Sequence, residues 1–548
     1  MRKKQLGDKF YQLFDYLHEH IITVIVIVAV LTAVISMAFI LTEDKNEQPL
    51  ESEIVEYEKM DTVYFAMDKV KSLNPLSSQE EDTYYISKLV FSSLFRLDKS
   101  LNVEKDLVDS YDANAKDGTV HINLRQNAKF SDGTALTAYD VSYSVDQILY
   151  LGDKYPYYSY VDKIDYVEIT DDYALTIYFK DAADAALDNL TFPIVSSALY
   201  DRNDIMPIGS GLYKYGTYAN AKTLELHPNA YYFGVKAQND LVFKAISDKT
   251  KVPGLMTIDS ITAAVVTDSA VSVEAEDKKL NVIAIPSNEM EYLGFNFKHK
   301  YLKDVRVRQA IAKTIDLESI IHDSYGDMGM VSDSVYFPGF LSVENTGDPY
   351  APDQIGASQL LKACGFTDSD GNGVLEDKNG KEFQLAILVN GSAENRADAA
   401  STIAAELQKI GIQTNVKKVS WDEYKTALKD GNFDLFLGGY SFDSQYNLKE
   451  MFGKDNFARY DNKDVNELTN MMETTLTAQE QKEVYTKLKN KLIEELPYYC
   501  LTYKTYSFIS VKHFSAEVIP NYHHRYYGCD SWKWEKIMTT QAEETEEE

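Results

Sequence analysis

Residues 382–438 read EFQLAILVNGSAENRADAASTIAAELQKIGIQTNVKKVSWDEYKTALKDGNFDLFLG. Phe383–Val389 is an apolar run of strand length. Ala399, Ile403, Leu407 and Ile410 then recur at helical spacing, and Gly411 ends that helix. Ile412–Val416 predicts a short strand, Trp421–Lys429 a second helix and Phe433–Leu437 a third strand. The order β-α-β-α-β implies a parallel sheet with helices on its faces, an α/β fold.

A second informative stretch is 117–146, DGTVHINLRQNAKFSDGTALTAYDVSYSVD. Val120, Ile122 and Leu124 alternate with His121, Asn123 and Arg125, the period of a half-buried strand. Asp132-Gly133 reads as a turn. Thr137 and Asp140 form a capping-box start for a helix continued by Val141, Val145, Ile148 and Leu149. In 304–321, DVRVRQAIAKTIDLESII, the pattern predicts a helix with Ala310, Ile311 and Ile315 inward, and Asp316 as cap of the next one.

A chain of 548 residues is expected to form two or three domains, and its 45% hydrophobic content excludes wholesale disorder. The net charge of −30 argues against nucleic acid and anionic membrane surfaces as partners. Solubility is the ordinary reading of such acidity, and an acidic cleft for cationic ligands the sharper one. The 13 prolines and 26 glycines are scattered, which fits lobes joined by several chain crossings rather than beads on a string. Cys364, Cys500 and Cys529 show no metal-site spacing. Cys364 lies on an apolar helix face, and pairing of Cys500 with Cys529 stays open.

Residues 21–41, IITVIVIVAVLTAVISMAFIL, carry no charge and are long enough to cross a bilayer. Arg2, Lys3, Lys4 and Lys9 precede them, whereas Glu43, Asp44, Glu47, Glu51 and Glu53 follow. The positive-inside rule puts 1–20 in the cytoplasm, a membrane anchor at 21–42 and the rest outside the cell. The alternative is a signal peptide cut near Ser36-Met37-Ala38, which would leave apolar Phe39-Ile40-Leu41 at the mature terminus. Residues 43–58 read as a linker and 538–548 as an acidic disordered tail.

LRQNAKFSDGTALTAYDV (124–141) resembles a run shared by the extracytoplasmic solute-binding proteins of oligopeptide ABC importers, family 5. SLNPL (72–76), GSGLYKYGTYANAKTLELHPNAYYFG (209–234), MEYLGFNFKHKYLKDVRVRQAIAKTIDLESII (290–321) and ACGFTDSDGNGVLE (363–376) resemble further blocks of that family, in the same order. The chain departs from it at Leu212, where the family has proline, and at MTIDSITAA (256–264). The resemblance implies a two-lobed periplasmic-binding-protein type II fold with an extra small domain. Lobe I would hold 59–95, 208–288 and 505–537, the extra domain 96–207 and lobe II 289–504. It also implies capture of an oligopeptide by lobe closure and delivery to ABC transporter permease subunits, with no reaction and no cofactor.

Asp443 in LGGYSFDSQY (437–446) lies just past the carboxyl end of a predicted strand, where open α/β sheets bind ligands. By resemblance it stands at the family aspartate that pairs with a peptide's α-ammonium, and Tyr440 at a family tryptophan. Phe442 in the same run completes the candidate ligand contacts. The competing reading of Asp443 is a solvated loop carboxylate. An oligosaccharide or metal chelate as ligand, and a sensing rather than importing role, stay open.

Asp368, Asp370 and Asn372 begin like a calcium loop, but position twelve is Asn379 instead of glutamate. A turn stabilised by Asp and Asn side chains is therefore favoured. His523-His524, read on a strand, would point to opposite faces and make an awkward metal site. No nucleophile elbow, P-loop or dinucleotide motif occurs, so no catalytic residue is assigned.

Overall fold

The computed structural model describes residues 56–538 except 115, 183–185, 443–447, 475–477 and 516–521. The predicted membrane span, the linker up to residue 55, the acidic tail after Met538 and Asp443 lie outside the described residues. Among the described residues no helix is long and apolar enough to cross a membrane.

The region 382–438 folds as its periodicity dictates. Strand Gln384–Asn390 is followed by helix Glu394–Lys409, strand Gln413–Val419, helix Trp421–Asp430 and strand Leu435–Ser441. The strand Gln384–Asn390 lies between the other two and runs parallel to both. Gly411 takes φ +84° at the end of the first helix, a conformation only glycine adopts without strain. Side chains alternate between two cores across this sheet. Leu385, Ile387, Val389, Leu435 and Leu437 pack on one face, Leu388 and Phe436 on the other.

These strands are one wing of an 11-stranded sheet. Beyond Leu435–Ser441 come the long antiparallel strands Asn281–Phe295 and Tyr498–Ser510. The other wing continues through Ala263–Val266, Thr62–Met67, Asp240–Ala245, Thr223–Pro228 and Tyr213–Ala219. This wing has its own core, which includes Val63, Phe65, Phe243 and, from the long strands, Ile285 and Phe508. Met290, Leu293, Tyr499 and Leu501, further along the same two strands, belong to the cores of the first wing.

A separate four-stranded antiparallel sheet holds Val108–Asn114, Thr119–Leu124, Ala174–Phe179 and Ile164–Asp171. Val120, Ile122 and Leu124 are buried beneath helix Ala138–Leu151, whose Asp140 Oδ2 accepts the Thr137 N–H at 2.8 Å. This sheet shares a continuous core with the second wing. Cys500 and Cys529 are both free and buried, and they sit in different cores, so no disulfide joins them. Burial pushes both thiols up.

Arg308 explains why the 304–310 run carries an arginine among apolar residues. Asp304 caps helix Val305–Ala312 by accepting the Arg306 N–H at 3.0 Å. One turn on, Arg308 is 1% exposed and stacks over Phe297. Its guanidinium donates to Leu302 O at 2.7 Å, to Leu496 O at 3.0 Å and to Glu495 O. The last two carbonyls close helix Ala478–Glu495, so Arg308 supplies donors that this helix end lacks. Burial pushes its guanidinium down to about 10. Arg308→Met should lower stability by about 3 kcal/mol, because charge-assisted bonds to buried carbonyls are lost. The check is a lower urea midpoint. An unchanged midpoint would contradict this role.

Candidate ligand cleft

Pairing between the two long strands breaks where the chain leaves one core for another. Pro286 pairs with Thr505 and Met290 with Tyr503, so Ser287, Asn288 and Glu289 stand against Lys504 alone. Proline has no N–H to continue the ladder, and the bulge follows. Ser441, the last residue of strand Leu435–Ser441, pairs with Glu289 inside this break. The carboxyl end of that strand therefore meets the boundary between the cores, the ligand edge of an open α/β sheet.

Two bonds tie the strand end to the break. Phe442 N–H donates to Asn288 O at 2.9 Å, and Asn288 Nδ2 donates to Phe442 O at 2.6 Å. Asp443 follows immediately, outside the described residues. Tyr440 is half-buried, its ring 4.8 Å from that of Phe442. Phe442 is 1% exposed, 5.9 Å from Tyr336 and 6.2 Å from Tyr503. Its ring is therefore packing within the aromatic wall, not surface offered to a ligand in this form. Tyr336 stacks on Phe340 at 4.4 Å, and Tyr503 OH donates to Val335 O at 2.6 Å.

A buried ion network lies under the same strand. Glu291, 2% exposed, accepts Arg396 Nε at 2.5 Å and Nη2 at 3.0 Å. Lys504 reaches Glu291 at 3.2 Å and Glu289 at 2.8 Å, so it spans the break in pairing. Tyr325 OH adds a longer bond to Glu291 at 3.4 Å. A Cβ on Gly439 would fall 1.8 Å from Arg396 Nη2, and one on Gly438 2.7 Å from Tyr292 OH. The Gly-Gly pair thus makes room for the guanidinium and a phenol. The strand periodicity of 290–297 gave no sign that its glutamate is buried.

Across the break, Tyr506 pairs with Ile285 on the second wing. Arg525 packs over Tyr85 at 4.0 Å and Tyr506 at 5.3 Å. It pairs with Glu81, and with Asp82 at 3.9 Å, in the first turn of helix Glu81–Val90. The run 72–76 is held by Asn74, whose Oδ1 accepts the Leu76 N–H at 3.1 Å.

Two other readings resolve differently. Carboxylate oxygens of Asp368, Asp370 and Glu376 lie within 4.8 Å of one another, so Glu376 joins the two aspartates as a potential cation ligand. Asp368 also accepts the N–H groups of Gly371 at 2.8 Å and Gly373 at 3.1 Å, as the turn reading requires. His523 lies on a bend and His524 in the irregular segment after it, not on a strand, and both line one cavity. The opposite-face argument for them therefore does not apply.

The model of the bacterial extracellular solute-binding proteins, family 5, middle segment, matches residues 102–458. The chain belongs to this family. It is 25% identical over 474 residues to the oligopeptide-binding protein AppA of Bacillus subtilis, covering 81% of this chain and 86% of the relative. Its fold is similar to that of MppA, a periplasmic murein tripeptide-binding protein in an unliganded open form. That match has a TM-score of 0.75 and 18% identity, over 88% of this chain and 99% of the other. It is also similar to that of NikZ from Campylobacter jejuni in complex with Ni(L-His). Here the TM-score is 0.56 and the identity 24%, over 86% and 99% of the two chains. These named proteins are binding proteins, not enzymes.

Arg396→Met should leave Glu291 buried with Lys504 as its one remaining cation, at a cost of about 3 kcal/mol. Chemical denaturation of the full-length protein checks this. A loss below a few tenths of a kcal/mol would show that Lys504 alone satisfies the carboxylate.

Proposed function

We propose that this protein captures oligopeptides outside the cell by closing two lobes, and hands them to the permease subunits of an ABC importer. Lobe I comprises 59–95, 208–288 and 505–537, lobe II 289–504, and the extra domain 96–207. The observation that carries the reading is the strand end at Ser441, set in the break between the crossing strands. Asp443 follows Phe442 directly in the sequence, beyond that strand end. A fixed carboxylate there compensates an α-ammonium for its lost water. Backbone hydrogen bonds hold the peptide main chain, which permits varied side chains. The oligopeptide-binding relative from B. subtilis supports the ligand class.

Residues 21–42 tether the protein to the membrane, with the amino terminus inside the cell. The charge asymmetry around that apolar segment supports this orientation.

Calorimetric titration of the full-length protein with short peptides tests the reading. Asp443→Ala, or acetylation of the peptide amine, should each weaken binding tenfold or more, about 1.4 kcal/mol. Unchanged affinity in both cases would remove Asp443 from the site. Tighter binding of a nickel–histidine chelate than of any peptide would move the protein to the other ligand class.

A further inference from the structure

A cavity of about 500 Å³ is lined by residues of 88–235 and 523–530, and by none of 289–504. That volume lies within the range of small-molecule sites, about 300–1,000 Å³. In a chain of net charge −30, its lining gathers Lys88, Arg96, Lys105 and Arg125 with His523 and His524. Asp106 and Asp530 are the carboxylates among the lining residues.

The Asp106 carboxylate interacts electrostatically with Arg96 and Arg125, which leaves Lys88 and Lys105 as the cations furthest from compensation. Arg96 pairs with Glu104 at 3.1 Å. Lys105 Nζ donates to Asp109 O at 2.6 Å, and Arg125 Nε to Asp106 O at 2.7 Å, in both cases a backbone carbonyl. Lys88 Nζ lies 3.0 Å from His523 Nε2 and 4.5 Å from the Tyr84 ring centre. None of Lys88, Lys105 and Arg125 has a carboxylate within ion-pair reach among the described residues. An ammonium can only donate, so His523 Nε2 is the acceptor and Nδ1 carries the ring proton. That Nδ1 is buried and has no partner. A cation held without an anion is costly, and a small anion beside Lys88 relieves that cost. Burial holds the Lys88 ammonium down to about 7, as an uncompensated cation requires.

We propose that this cavity binds a small organic or inorganic anion, a carboxylate or a phosphate, at Lys88, with Lys105 and Arg125 lining the same cavity, independently of the ligand held between the lobes. Tyr232 and Phe233, with ring centres 4.7 Å apart, give its wall an apolar patch for the body of such a ligand.

The test is calorimetric titration of the full-length protein with citrate and with inorganic phosphate. Saturable binding of at least one is expected, and the better ligand identifies the head group. Lys88→Met should weaken it tenfold or more. Lys105 is exposed at the cavity, so Lys105→Gln tests the same site without disturbing the core, with a severalfold loss expected. No saturable binding of either anion at millimolar concentration, or affinities unchanged in both variants, would overturn the proposal.

Discussion

The architecture depends on a pair of hydrogen-bonded strands whose register shifts twice, between Pro286 and Met290 and again between Glu291 and Tyr292. Asn281–Phe295 and Tyr498–Ser510 are the long strands that carry the chain between the two wings of the sheet. A continuous ladder there would make the sheet one stiff plate. Pro286 removes a donor, and Ser287, Asn288 and Glu289 bulge against Lys504. Backbone bonds on either side keep each arm in register with its own core. Bending is thereby confined to a few residues, the condition for hinge motion between packed bodies.

The break also organises the chemistry beside it. Asn288 grips Phe442 through two hydrogen bonds, so the segment entering the candidate ligand loop is fixed to the bulge itself. Lys504 bridges Glu289 and Glu291, one residue in the bulge and one just past it. Glu291 in turn anchors Arg396 beneath Gly439, one strand away. The bulge, the strand end at Ser441 and the buried Glu291–Arg396 pair are thus connected through neighbouring groups. Hydrogen bonds and ion pairs of this kind have discrete arrangements, which suits an open and a closed state better than a continuum.

Much of this architecture was legible in the residues. Apolar periodicity located the strands and helices of 382–438, with strand ends shifted by up to four residues. The Thr137/Asp140 box and the Asp316 cap form as their spacing demands, because capping is decided within one turn. Long-range facts were not legible. Phe442 follows a strand like a loop residue, yet it packs against Tyr336 and Tyr503 from distant segments as well as against neighbouring Tyr440. Glu291 sits in an alternating pattern that makes no provision for a buried charge, and its partners come from 105 and 213 residues away. His523 and His524 seemed to point apart only because a strand was assumed. The irregular segment they occupy brings both to one cavity, whose other walls come from residues 88–235 and 526–530. Arg308 was invisible for the same reason, since its carbonyl partners at 495 and 496 meet it only after folding.

The most direct measurement is native mass spectrometry of the full-length protein purified from its native cells, before and after denaturation. A protein that closes its lobes on oligopeptides carries a set of short peptides, which denaturation releases as masses of several lengths. A single sugar mass, or a metal chelate in place of peptides, would contradict the account of the ligand while leaving the hinge intact.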